Sequence, residues 1–172
     1  MSEKTNIQDI AGFCPENAIW KMLADVSDFL LKEETGYQLS ADSIIVDGEQ
    51  FLVTGTKNSV KKEDMVWTLG ALAYYAATGH EVFGGHGRRY QIEHPLVALP
   101  VLQKSFQELT PVIHACLCYD VSERIEMGNL RKWAQEGLVA CSQRKRAISK
   151  SVESRMSVKD IVEKWPEEMI EL

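Results

Sequence analysis

A chain of 172 residues with 45% hydrophobic content has material for one substantial core. Its net charge of −6 excludes a general nucleic-acid binder, which presents a basic surface. No apolar run approaches the roughly 20 residues of a membrane span, and Ser2 to Asp9 is too polar for a secretory leader. The expectation is a cytoplasmic protein with neither a nucleic-acid nor a membrane partner.

Residues 1 to 13 are polar apart from Ile7, Ile10 and Phe13, which predicts one helical turn docked on the body. Pro15 suits a first helical turn, and Ile19, Leu23, Val26 and Leu30 recur at spacings of three and four. That spacing predicts an amphipathic helix ending near Thr35-Gly36. Ile44-Ile45-Val46, the turn pair Asp47-Gly48 and Phe51-Leu52-Val53 predict a short β-hairpin. From Met65 to Ala77 the chain carries no charge, and apolar groups fall on every helical face. It reads as a fully buried helix, with acids before it and Gly79 after it as a C-cap. Gly79 to Tyr90 is glycine-rich and reads as a loop. Thr110-Pro111 predicts an N-cap and first residue of a helix reaching Tyr119. Asp120 to Glu123 reads as a turn, and a further helix follows from Met127 to Gln135. The mixed charges of 141 to 156 predict a linker, and Ser157 to Asp160 predicts a capped last helix that stops near Trp165-Pro166. The resulting organisation is a helical domain over 1–140, mainly α with a short β-hairpin, and a linker with helical tail over 141–172.

Residues with chemical potential are scattered. Cys14, Cys116, Cys118 and Cys141 lack a paired metal-ligand spacing and read as free thiols of a reducing compartment. His80, His86 and His94 match no zinc pattern and read as exposed loop histidines, so no metal site and no cofactor is assigned. Gly84-Gly85-His86-Gly87 follows a helix instead of a strand, the wrong context for a phosphate loop. Ser43, Ser59 and Ser122 lack a nucleophile-elbow context. Tyr74 and Tyr75 read as core aromatics with hydroxyls at the rim. Arg144-Lys145-Arg146 reads as a solvated helix end or tail.

Four local motifs in order resemble the large lobe of a eukaryotic-type protein kinase across residues 14 to 137. Trp67-Thr68-Leu69-Gly70 is similar to the Trp-Ser-Leu-Gly of the kinase central helix, and Ala77-Thr78-Gly79 to its Leu-Thr-Gly exit. Cys116-Leu117-Cys118-Tyr119-Asp120-Val121-Ser122-Glu123-Arg124 resembles Cys-Leu-x-x-Asp-Pro-x-x-Arg. Leu39 to Val46 matches the frame of the catalytic loop and following strand. The resemblance implies a kinase C-lobe-like fold with Trp67 and Gly70 at its centre. It implies too that Arg124, which in the family pairs with a glutamate of the activation segment, finds a substitute in Glu63 or Asp64.

The same alignment implies lost chemistry. Phosphoryl transfer requires an aspartate to orient the hydroxyl and an asparagine and aspartate to hold magnesium. The aligned positions are Gln38 for the catalytic aspartate, Ser40 for the lysine, Ser43 for the asparagine and Gly55 for the metal aspartate. Asp42 and Asp47 fall on the loop exterior and the hairpin turn. About 14 residues precede the first long helix, so the small lobe is expected to be absent, and the activation segment is deleted. The chain is thus expected to be a non-catalytic, pseudokinase-like domain, similar in concept to the kinase non-catalytic C-lobe module, that binds a protein partner or acts as a scaffold. The alternatives are a nucleotide binder or residual phosphotransferase using unconventional residues, and a structural subunit of a homodimer or larger homo-oligomer. The expected binding face is Tyr37, Ile44, Val46, Phe51 and Val53, which a small lobe would otherwise cover. A tail helix over 158–164 with Trp165, Met169 and Ile170 is expected to cover part of it.

Overall fold

The computed structural model describes residues 4–163 of a mainly helical chain carrying one antiparallel β-hairpin. It divides into two units, residues 1–138 and 139–172. Helix α1 (Ile7–Ile10) is closed by a capping box in which the Asn6 side chain accepts from the Asp9 N–H and the Asp9 carboxylate accepts from the Asn6 N–H. Ile7 is fully buried. Helix α2 (Glu16–Lys32) turns its apolar stripe, including Ile19, Met22, Leu23, Val26 and Leu30, into the core.

Strands β1 (Ile44–Asp47) and β2 (Gln50–Val53) pair with Ile44 opposite Val53 and Asp47 opposite Gln50. The two-residue loop is therefore Gly48-Glu49, one position later than the Asp47-Gly48 pair expected, because Gly48 supplies the positive φ at the first central position. Both edges of the hairpin are occupied. The Val46 N–H donates to the Thr5 carbonyl at 2.7 Å and Asn6 bridges Ile45, while the Phe51 N–H donates to the Asp25 carboxylate at 3.0 Å. The N-terminal arm then crosses to the far end of the next helix, where the Gly12 N–H donates to the Ala76 carbonyl at 3.0 Å.

Helix α3 (Lys62–Thr78) is the centre of the first unit. No residue from Asp64 to Gly79 is exposed, although Thr68, Ala71, Tyr74 and Tyr75 keep partial access along one stripe. Gly79 ends it in the left-handed conformation. Beyond it the expected loop is ordered differently: a 3₁₀ turn (Val82–Gly85) leads into α4 (Gly87–Glu93). The glycines concentrate at the bends, with positive φ at Gly84, Gly85 and Gly87, which leaves Arg88 to Glu93 free to form helix.

Helix α5 (Thr110–Leu117) starts at Thr110 itself, with Leu109 as N-cap, a one-residue shift from the expected capping. It lies close against α3: a Cβ placed on Gly70 would overlap that of Cys116. Helix α6 (Met127–Glu163) extends through 141 to 156, where a linker was expected, and through the predicted start of a separate helix at Ser157. No glycine or proline interrupts the chain between Gly137 and Pro166, and its polar and basic residues, with Ala140, Ala147 and Met156 among them, carry no helix-breaking propensity. Gly137, early in α6, sits against the Trp20 ring, 2.5 Å from where a Cβ would stand. In the second unit Arg144, Lys145 and Arg146 are exposed. Trp165, Met169 and Ile170, and with them the expected tail contact, lie outside the described residues. No helix among the described residues is long and apolar enough to cross a membrane.

Candidate functional site

The turn from α2 into β1 carries the residues aligned with a catalytic loop. Tyr37 is buried; its N–H donates to the Met65 sulfur at 3.4 Å, its hydroxyl donates to Glu33 at 3.2 Å, and its ring meets Phe29 edge-on at 5.2 Å. The side chain of Gln38 is exposed while its N–H donates to the Thr56 carbonyl at 3.0 Å. Ser40 is exposed and its hydroxyl donates to Asp42. Ser43 is buried and closes the turn on itself, accepting from the Ser40 N–H at 2.8 Å and donating to the Ser40 carbonyl at 2.9 Å. Its own carbonyl accepts from both the N–H and the hydroxyl of Thr54, at 2.7 and 3.1 Å. Gly55 completes the arrangement: a Cβ there would lie 2.6 Å from the Gln38 carbonyl oxygen.

The expected binding face is largely filled. Ile44 and Phe51 are buried like Tyr37, and Val46 and Val53 are half-buried. Leu52 is the exposed large apolar side chain of the hairpin. The N-terminal arm meets β1, and the register places Ile44, Val46, Phe51 and Val53 on one face of the hairpin.

Trp67 is buried, and its indole N–H donates to Gln91 Oε1 at 2.9 Å. The Gln91 amide in turn donates to the Leu117 carbonyl at 2.7 Å, so one buried glutamine joins α3, α4 and α5. Sequence reasoning missed Gln91, because a glutamine amid glycine and charge carries no sign of burial.

Arg124 is 5% exposed. Its guanidinium donates to three backbone carbonyls, those of Cys118 at 2.9 Å, Glu63 at 2.9 Å and Tyr119 at 3.1 Å. The Asp64 carboxylate stands farther off, at 3.9 Å, and also pairs with Arg88. Glu63 thus contributes its carbonyl and Asp64 a distant charge shared by two arginines, a different arrangement from the single carboxylate partner expected. Burial first, then the Arg88 guanidinium, hold the Arg124 pKa below its ordinary value, and Asp64 opposes them.

All four cysteines are free, and Cys118 alone keeps partial access. His86 and His94 are exposed and stack on Tyr90, His94 at 4.1 Å between centroids. Several surface grooves are formed by described residues of the first unit. One of about 460 Å³ runs past Leu31, Glu63 and Arg124, and one of about 260 Å³ lies between the Ser40 turn, the accessible stripe of α3 and Glu81. A third, of about 320 Å³, is bounded by Val97, Leu99, Cys118 and Tyr119 with Asp120 and Glu123. Beside it the segment from Ile92 to Val101 exposes apolar side chains: Ile92 at 58%, Leu96 at 98% and Val101 at 78%. No known protein family and no curated protein matches this chain.

Proposed function

We propose that this chain is a kinase large-lobe-like helical domain without catalytic activity, working as a protein-binding or scaffolding module. The observation that carries the reading is the backbone closure at Gly55. With the Gln38 carbonyl 2.6 Å from any Cβ there, the position aligned with the metal-binding aspartate admits no side chain. The flanking positions support it, since Ser43 spends its hydroxyl on the Ser40 backbone and Gln38 offers a neutral amide. Phosphoryl transfer is mostly positioning and charge stabilisation of metal-bound phosphates, and these residues supply neither. Binding of a protein is favoured by the accessible apolar side chains of Ile92, Leu96 and Val101.

The test is a thermal-shift titration with Mg-ATP. A ligand at 100 times its Kd adds about 2.7 kcal/mol to the folded state, a readily seen rise in Tm. The proposal expects none, and a reproducible rise of that size would replace it with a nucleotide-binding reading.

A further inference from the structure

The groove beside Tyr119 combines features that select a particular kind of ligand. Val97 and Leu99 form apolar wall, and Tyr119 is 56% exposed. Asp120 and Glu123 bring two carboxylates from one turn, and among the described residues no lysine or arginine lines the groove. The neighbouring cation, Arg124, is committed to the carbonyls of Cys118, Tyr119 and Glu63. Burial first, and the Glu123 carboxylate second, push the Cys118 thiol above its ordinary value, so the negative field of Glu123 reaches a lining residue. An anionic lipid surface is disfavoured by these carboxylates and by the overall charge of −6. A volume of about 320 Å³ accommodates one large side chain with its neighbours.

We infer that this groove docks a short peptide segment of a partner protein in which an arginine is flanked by aliphatic residues. This rests on the protein-binding reading above and names the partner's chemistry. The guanidinium stacks on the Tyr119 ring while pairing with Glu123 and Asp120, a combination that suits arginine's planar fork better than lysine's point charge. The aliphatic neighbours cover the half-buried Val97 and Leu99 and the 98% exposed Leu96, removing apolar area that the described residues leave accessible.

The experiment is an NMR titration of the full ¹⁵N-labelled chain with the blocked peptide acetyl-Gly-Leu-Arg-Val-Gly-amide. Control peptides carry citrulline or glutamate in place of arginine. Saturable shift changes are expected at the amides of Val97, Leu99 and Cys118 to Glu123, weakening as salt is raised. Glu123→Gln and Tyr119→Ala, both at exposed positions, should each weaken binding by about fivefold. Equal binding of the citrulline or glutamate peptide, changes mapping to another surface, or no change at all would overturn the inference. Those results leave the non-catalytic reading standing, because that reading fails on a separate signal, the Mg-ATP thermal shift.

Discussion

Replacing Trp67 by Phe and Gln91 by Leu, singly and together, probes the bonds that join three helices. In Trp67→Phe the Gln91 carbonyl loses its donor at a site only 3% exposed. In Gln91→Leu both the Trp67 N–H and the Leu117 carbonyl lose their partner. An unsatisfied buried group costs about 1–3 kcal/mol, so the first change leaves one such group and the second leaves two. The double variant leaves only the Leu117 carbonyl. The sum of the single effects therefore overcounts by two groups, which gives a coupling of about 2 kcal/mol at the low end of that range. Urea unfolding followed by circular dichroism measures it, provided the slope stays constant across the four proteins. If the two substitutions add to within about 0.5 kcal/mol, the bridge does not hold the helices and the account of α4 is wrong.

Further perturbations follow from the same contacts. Gly55→Asp, which puts a carboxylate at the position aligned with a kinase metal ligand under the proposed resemblance, should destabilise the fold because its Cβ meets the Gln38 carbonyl at 2.6 Å; an unchanged unfolding midpoint would show that the position has room. Ile7→Ala empties a fully buried site under the N-terminal arm and should cost about 2–5 kcal/mol, whereas a change within about 0.5 kcal/mol would mean that the arm is not part of the core. Burial raises the thiol pKa of Cys116 from 9.0 to about 12 and that of Cys14 from 9.0 to about 11. Both folded values exceed the unfolded one, so this contribution is complete below about pH 9 and is lost as pH rises through 11 and 12. Unfolding midpoints measured across that range should fall less steeply in a Cys14→Ala, Cys116→Ala variant than in the parent, and parallel curves would remove the thiols from the explanation.

Much of the first unit was legible because its signals are local. The charge-free run from Met65 to Ala77 and the spacing of Ile19, Leu23, Val26 and Leu30 report burial through periodicity alone, and both helices form where the pattern places them. The features that were not legible depend on partners distant in sequence. Nothing local marks Gln91 as the partner of Trp67, 24 residues away, or assigns Arg124 the carbonyl of Glu63, 61 residues away. The covering of β1 by Thr5 and Asn6 escaped for the same reason, since a polar arm becomes strand-like only when an edge is there to receive it. The continuation of α6 was misjudged for a different reason: a polar, mostly basic run without glycine or proline is as compatible with a solvated helix as with a linker.

The central claim is that the Gln38, Ser43 and Gly55 positions form a closed structural turn that holds neither nucleotide nor metal-bound phosphate. Their backbone amides report on this directly in a ¹⁵N-resolved titration with Mg-ATP. The account predicts that these resonances stay fixed as the nucleotide is raised to about 1 mM, where a ligand of micromolar affinity would be saturated. Saturable shifts centred on those three amides would contradict it.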